Sequence, residues 1–340
     1  MQENIIPLLQ CPECQGLQLK LEVFKKDRDR DIKEGVVTCR KCQSWYQIED
    51  YVLEFLPTHL AYREDRKRFF KKYKHKLKGL HSTSGSNNQS PQREQQEYFD
   101  WYANNEKQSY TSYAESTFWK SVDALIFGEW KKRIAFGSHL LDVGCAQGRS
   151  AFLVADLPID ITAFDISKKM VREAVVRYKK KKYRATMSFL VADATYFPFS
   201  RQSFDCVLLY GVLHHLADPA LACRHIARVL RTGGLYFGLE NHTSLVRVIF
   251  DLFQKLYPIW YEKAGSKPLM NEKDITTWFK NTGMSIHTSV QTFVPPHVIN
   301  ILPRKFATNV LIATNSLGTV LGLTSFGGLL VIEGSKNVRS

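Results

Sequence analysis

Acidic side chains are scarce in this chain: 33 Asp and Glu face 47 Lys and Arg among 340 residues, a formal charge of +14. Such an excess points toward nucleic acid or an anionic membrane surface, but it is not spread along the sequence. Residues 60–80 hold nine basic residues and two acids, and residues 168–184 hold nine and one. These two windows account for the whole excess, and the rest of the chain is close to neutral. Long apolar runs are also missing. The longest uncharged stretch, between Lys305 and Glu333, is broken by Asn309, Asn315 and four glycines, so no transmembrane segment is expected. Met1 to Gln10 lack the basic head and small-residue cleavage site of a secretory signal. Seven cysteines, an odd number in a chain too long for a stapled scaffold, argue against a disulfide framework. A cytoplasmic protein is expected, with peripheral contact to an anionic membrane left open. No repeat of fixed period is visible, and 44% hydrophobic residues are enough for a real core.

What is present divides into three parts. Residues 1–57 combine four of the cysteines with short strand-like runs. Residues 58–94 form a basic helical stretch, Tyr62 to Leu80, and a small polar run from His81 to Pro91 that reads as a flexible linker. Residues 95–340 begin helical and aromatic. Apolar runs at Leu140–Val143, Ile159–Phe164, Met187–Val191, Asp205–Leu209 and Leu235–Leu239 then alternate with helical segments. That alternation predicts a doubly wound α/β domain with a mostly parallel sheet. Between the fifth and sixth strands, about 241–270, apolar residues such as Ile249, Phe253, Leu256 and Trp260 recur at helical spacing. They suggest either a lid over a hydrophobic acceptor or a core-facing helix.

Cys11-Pro12-Glu13-Cys14 and Cys39-Arg40-Lys41-Cys42 are two C-x2-C knuckles separated by 24 residues. Two such turns complete a closed four-thiolate shell, for which structural zinc is the expected ion and rubredoxin-like iron the chemical alternative. The run from Leu9 to Cys14, Cys39 to Asp50, and Phe55-Leu56-Pro57 resembles a zinc-ribbon family. That family is the small activator subunit of tRNA and release-factor methyltransferases, with related ribbons fused to bacterial methyltransferases. It usually has Gly where this chain has Tyr51.

The first α/β strand runs into Leu141-Asp142-Val143-Gly144-Cys145-Ala146-Gln147-Gly148, and Asp165 ends the second strand 21 residues after Gly144. Glycines at a strand-to-helix turn let a ligand approach the backbone, and an acid at that distance can hold a ribose. The G-x-G-x-x-G built for a pyrophosphate is absent, and an acid precedes the first glycine. This suits a cofactor carrying an ammonium and no phosphate. Val191-Ala192-Asp193-Ala194, Phe197-Pro198-Phe199, the run from Ser203 to Leu216, and Val229 to Leu235 follow in order. The whole pattern resembles the class I S-adenosylmethionine-dependent methyltransferases of the type-11 group over about residues 95–340. The resemblance implies a seven-stranded Rossmann-like sheet and binding of S-adenosylmethionine. It places Asp142, Gly144, Cys145 and Gly148 around the methionine part, Asp165 on the ribose and Ile166 against the adenine. Asp193 and Ala194 would read the adenine edge, with Tyr210 beside the methionine. Ala146 stands where the family usually has Gly. The competing reading of Asp165 and Asp193 is a helix N-cap, since both precede helix starts.

Methyl transfer needs positioning, and a base only when the acceptor holds a proton. His214 and His215 follow the fourth strand of this domain, and either could be that base; the competing reading is surface and packing. Leu209-Tyr210-Gly211-Val212 lacks the Asn/Asp-Pro-Pro-aromatic signature of exocyclic-amine methylation and the Pro-Cys or Thr-Cys nucleophile of cytosine-C5 enzymes. The expected function is methyl transfer to a small or lipid-like acceptor, by O-, N- or C-methylation. RNA methylation that uses the ribbon and the basic stretch is the alternative. A degenerate, non-enzymatic interaction module is the third reading.

Overall fold

In the computed structural model, residues 1–80, 90–104, 114–245, 247, 252, 256 and 269–337 are described. The polar run expected as a linker and the lid expected over about 241–270 therefore lie largely outside the described residues. The chain begins with an antiparallel ribbon of β1 (Leu19–Lys26), β2 (Ile32–Cys39), β3 (Trp45–Glu49) and β4 (Val52–Glu54). Helices α1 (Arg63–Lys72), α2 (Pro91–Asn104) and α3 (Thr117–Arg133) follow. The alternating portion comprises β5 (His139–Val143), α4 (Arg149–Leu153), β6 (Asp160–Asp165), α5 (Lys168–Lys180), β7 (Thr186–Val191), β8 (Phe204–Tyr210), α6 (Pro219–Val229) and β9 (Leu230–Asn241). The last described elements are α7 (Glu272–Phe279), β10 (Met284–Gln291), α8 (Pro296–Asn300), α9 (Arg304–Val320) and β11 (Leu329–Lys336).

Each of the five apolar runs forms a strand, β5 to β9, because buried parallel strands need apolar side chains on both faces. β10 was not legible as such a run: its side chains are mostly half-exposed, and it lies at the sheet's outer edge.

The expected seven-stranded sheet needs correction. Seven strands in the order β7-β6-β5-β8-β9-β11-β10 are present, but the four ribbon strands continue the same sheet to make eleven. The join is a parallel pairing of β4 with β7, Val52 opposite Phe189 and Leu53 opposite Leu190, extended by Phe55 N–H donating to the Val191 carbonyl at 2.8 Å. With the ribbon included, parallel and antiparallel pairings are equal in number, so the whole sheet is mixed rather than mostly parallel. The core does not stop at the join either. Tyr46 and Phe55 from the ribbon share one apolar cluster with Phe164, Phe197 and Phe199. On the other face Val52 and Leu56 join Phe127, Trp130 and Phe189.

Charge reinforces the join. Lys168, only 2% exposed at the start of α5, lies 2.8 Å from Glu54 Oε2 and 2.6 Å from Asp65 Oδ2. Arg68 of α1 and Arg172 of α5 both reach Glu49 at 3.0 Å, and Lys72 reaches Glu34 at 2.7 Å. Arg66 stacks its guanidinium 4.0 Å from the Trp45 ring and donates to that residue's carbonyl. Lys179 engages Asp27 at 2.8 Å and also Asp31, and sits 4.5 Å from the Tyr51 ring. The two basic windows thus meet on the acids of the ribbon and α1. The run Lys179–Lys182, which the sequence suggests is a solvated helix end, begins with a docked residue. Tyr51 keeps the left-handed turn with φ of +70° although it is not glycine.

Removing one partner of a buried ion pair strands the other charge in a low-dielectric site, at a cost of about 3–5 kcal/mol. Lys168→Met should accordingly lower the unfolding free energy by about 3 kcal/mol, measured by urea denaturation. A loss under about 1 kcal/mol would show that Glu54 and Asp65 do not depend on it.

Candidate functional site

The cysteines converge as their spacing predicts. The Sγ atoms of Cys11, Cys14, Cys39 and Cys42 all lie within 4.8 Å of one another, with Cys11–Cys42 and Cys14–Cys39 both at 3.6 Å. A tetrahedral ion about 2.3 Å from each sulfur holds its ligands about 3.8 Å apart, so the cage has the right size for one metal ion. Tyr46 Oη lies 3.1 Å from Cys11 Sγ and Ser44 Oγ lies 3.3 Å from Cys42 Sγ, both placed to steady a thiolate.

The second site is a cavity of about 340 Å³ at the carboxyl ends of β5, β6, β7 and β8, the position at which open α/β sheets hold ligands. Of the residues expected at the cofactor, Gly144, Asp165, Ile166, Asp193, Ala194 and Tyr210 line it, together with His215. Gly144 has φ of +68°, and a Cβ there would meet the Val212 side chain at 2.5 Å. Asp142, Cys145 and Gly148 do not line the cavity. Asp142 is fully buried beneath the loop, where Ser150 Oγ donates to its carboxylate at 2.8 Å and burial raises its pKa to about 7. Cys145 packs in the apolar cluster with Phe127 and Trp130. Gly148, at φ +84°, is the N-cap of α4.

The carboxylate of Asp165 closes the loop. Its Oδ2 accepts from Ala146 N–H and its Oδ1 from Ser167 N–H, both at 2.9 Å. Burial nevertheless raises its pKa to about 6, against those two hydrogen bonds. A carboxylate has about four acceptor positions, so room remains for ribose hydroxyls. The cap of α5 is Ser167, whose Oγ accepts from Met170 N–H at 3.2 Å, and not Asp165. Asp193 is bound locally: Thr195 donates its N–H at 2.8 Å and its Oγ1–H at 2.7 Å to the two carboxylate oxygens.

The two histidines take different surroundings, although their ring centroids lie 4.0 Å apart. His215 faces the cavity, its ring set edge-on to Phe99 at 5.2 Å, while its carbonyl accepts from Gln95 Nε2. His214 is buried, with Nδ1 2.7 Å from Glu240 Oε2. The other oxygen of Glu240 accepts from Val212 and Leu213 N–H at 2.9 and 2.7 Å, so this pair fixes the turn beneath the cavity.

Two contributors were not read from sequence. α2 supplies Gln95, Tyr98 and Phe99 to one wall, and their only signal was the aromatic helical stretch after Gln92. Behind Tyr210 stands a buried ion pair: Arg149 Nη2 and Nε contact the Asp123 carboxylate at 2.8 and 3.1 Å, and Tyr210 Oη donates to Asp123 at 2.7 Å. The Arg149 guanidinium also covers the rings of Trp119 and Tyr210 at 4.8 and 5.0 Å. Asp123 gave no sequence signal, because nothing local marks a carboxylate whose partner is 26 residues away.

Electrostatically the cavity is one-sided. Glu94, Asp165 and Asp193 line it, and among the described residues no Lys or Arg does. Phe164, Ile166, Met170 and Val212 supply apolar walls. Such a lining suits a cation with a flat apolar part and disfavours a pyrophosphate.

Residues 141–238, which contain this loop and the carboxyl ends of β5, β6, β7 and β8, match the family described as "Methyltransferase domain". Residues 4–50 match the family described as "Trm112p-like protein". The O-methyltransferase resE of Aspergillus sclerotiorum is 38% identical over 98 residues, 28% of this chain and 37% of that protein. The 27-O-demethylrifamycin SV methyltransferase of Amycolatopsis mediterranei is 38% identical over 29% of this chain and 36% of its own. The demethylmenaquinone methyltransferase of Renibacterium salmoninarum is 33% identical over 39% and 55%. The chain thus spans about a third to a half of the length of these relatives. Among solved structures, the complex holding the Haloferax volcanii Trm112 methyltransferase activator aligns over 71% of this chain and 98% of that chain, with 18% identity and a TM-score of 0.46. No argument rests on so loose a likeness.

Ala146 holds φ of +44° in the loop after β5. A left-handed residue with a Cβ costs about 1–2 kcal/mol, and glycine returns about 0.5–1 kcal/mol of that as chain entropy. Ala146→Gly should stabilise the protein by about 0.5–1 kcal/mol in chemical denaturation. A lower midpoint would mean that the loop accepts alanine without strain.

Proposed function

We propose that the protein is an S-adenosylmethionine-dependent methyltransferase acting on a small or lipid-like acceptor. The observation that carries this reading is the cavity's lining, three carboxylates and no Lys or Arg among the described residues. S-adenosylmethionine brings a sulfonium-bound methyl group, and its two positive charges suit such a lining. On this reading Asp165 holds the ribose, Ile166 packs on the adenine and Asp193 with Ala194 marks the adenine edge. Gly144 keeps the loop open, and Tyr210, held by Asp123, forms the wall beside the methionine. Asp142, Cys145 and Gly148 support the loop from beneath. His215 is assigned as the base for an acceptor that must lose a proton. His214 is given a positioning role through Glu240. The printed names of the relatives favour an oxygen acceptor.

The four-cysteine cage is assigned to structural zinc, since four thiolates in a closed shell leave no position for water. A domain division at about residues 57 and 94 is retained, with the ribbon as a built-in support of the sheet edge. No helix among the described residues is long and apolar enough to cross a membrane. None of the seven cysteines is in a disulfide, which fits a reducing, cytoplasmic setting. RNA methylation using the ribbon and the basic stretch is the second reading; the ion pairs with Glu34, Glu49, Glu54, Asp27 and Asp31 engage Arg68, Lys72, Lys168, Arg172 and Lys179 of the two basic windows.

Calorimetry with S-adenosylhomocysteine tests the cofactor assignment, and absence of binding at high micromolar ligand would overturn it in favour of a non-enzymatic module. The pH dependence gives a sharper test. With its pKa raised to about 6, Asp165 is ionised above that pH and protonated below it. Protonation removes a negative charge and an acceptor, so affinity should fall about tenfold between pH 7.5 and 5. Asp165→Asn should bind weakly at both values and flatten the profile. For the metal, elemental analysis should find one zinc per chain, and Cys39→Ser should lose it and unfold at a lower urea concentration. Iron in its place would overturn the zinc assignment.

A further inference from the structure

One surface of the molecule is used by none of these functions. Helices α8 and α9 pack on α3, and on the inner side of α9 Ala307 and Leu311 are buried, with Gly318 buried against the Phe293 ring. Asn300 Oδ1 accepts from Phe118 N–H at 2.9 Å, and Thr308 Oγ1 donates to Ser121 Oγ at 3.2 Å. A helix on a globular protein turns its apolar side inward and a polar side outward. α9 is apolar on both. Phe306, Ala313, Leu317 and Val320 recur at spacings of seven, four and three, forming one outer stripe, and all four are exposed. Val320, and Ile301 in the turn before α9, are each 82% exposed. Single exposed apolar residues are ordinary, but a contiguous patch of large ones marks an interaction site.

The charges around the patch say what covers it. Not one Asp or Glu occurs from Ile275 to Ile332, while the exposed Arg304 and Lys305 open α9. Some surface cations elsewhere meet acids, as Lys131 meets Asp156 and Arg231 meets Asp205. A second copy of the chain would set this acid-free surface against itself, with no carboxylate from the patch to answer Arg304 and Lys305. An apolar helix face edged with basic residues and lying flat on the protein is what an interfacial membrane helix presents. Each Lys or Arg near an anionic headgroup layer adds attraction. We infer that the outer face of α8 and α9 docks the protein on an anionic phospholipid surface, with the Phe306–Leu317–Val320 stripe in the acyl boundary and Arg304 and Lys305 among the headgroups. The basic windows at 60–80 and 168–184 are not the docking element. The inference rests on this surface alone and holds whether or not the cofactor assignment does.

Vesicle co-sedimentation of the full chain tests it without turnover. Binding is expected to phosphatidylcholine vesicles containing a third phosphatidylglycerol, and much less to phosphatidylcholine alone. Phe306→Ser combined with Leu317→Ser should cut partitioning at least tenfold, with the thermal unfolding midpoint and S-adenosylhomocysteine binding unchanged. Lys180→Glu combined with Lys182→Glu, on the other basic surface, should leave partitioning within twofold. No binding to anionic vesicles would overturn the inference. So would binding that survives the Phe306/Leu317 variant and is lost in the Lys180/Lys182 variant. A concentration-dependent dimer broken by the Phe306/Leu317 variant would overturn it in favour of a second copy, and stable binding of an acidic protein at this face in place of vesicles would overturn it in favour of a protein partner.

Discussion

A buried ammonium group must find carboxylates within the structure, because water cannot serve it and an unpaired charge in the interior is prohibitive. Lys168 meets that demand by drawing on two separate segments, Glu54 at the end of the ribbon and Asp65 in the first helix. Its own backbone N–H donates to Tyr62 Oη at 2.9 Å, and it follows the Asp165–Ser167 loop directly. The ribbon, the basic helix and the loop that faces the cavity are therefore tied at one point. A shift of the ribbon would be felt within three residues at Asp165. The four-cysteine cage, which belongs to the ribbon, thereby lies in the same packed unit as the cavity.

In and beneath the cavity, three aspartates that look alike in sequence are put to different uses by their surroundings. Asp142 is sealed beneath the loop with Ser150, Asp165 braces the loop while keeping acceptor capacity toward the cavity, and Asp193 folds its own turn around Thr195. The two adjacent histidines diverge for the same reason. A three-residue turn points one ring at Glu240 and the other at Phe99. The two rings still lie 4.0 Å apart, one buried and the other facing the cavity.

Signals that are local survive reading from the sequence, and those that depend on tertiary pairing do not. The C-x2-C knuckles, the glycine turn and the five apolar runs each carry their information within a few residues, and each forms where it was expected. The strand count did not follow. Nothing in Val52-Leu53-Glu54 reveals that it will pair with Phe189 to Val191 rather than end a separate module. The charge windows were legible as charge but not as partners, since Glu49, Glu54 and Asp65 are unremarkable acids until the fold brings them together. Asp123 and Arg149 were invisible for the same reason. The apolar outer stripe of α9 was visible as hydrophobicity, but only burial shows which side of the helix remains uncovered.

The parallel seam between β4 and β7 also settles what happens at the border of the sheet. Without the ribbon, β7 would be an outermost strand with open backbone donors and acceptors beside Phe189 and Val191, a template for pairing with other chains. The ribbon covers that template and moves the border outward to β1, a strand that is bulged, half-exposed and lysine-bearing, all features that discourage edge-to-edge association. The thiolate cage thereby has a solubility role: holding the ribbon folded keeps the molecule from recruiting its own copies into an extended sheet.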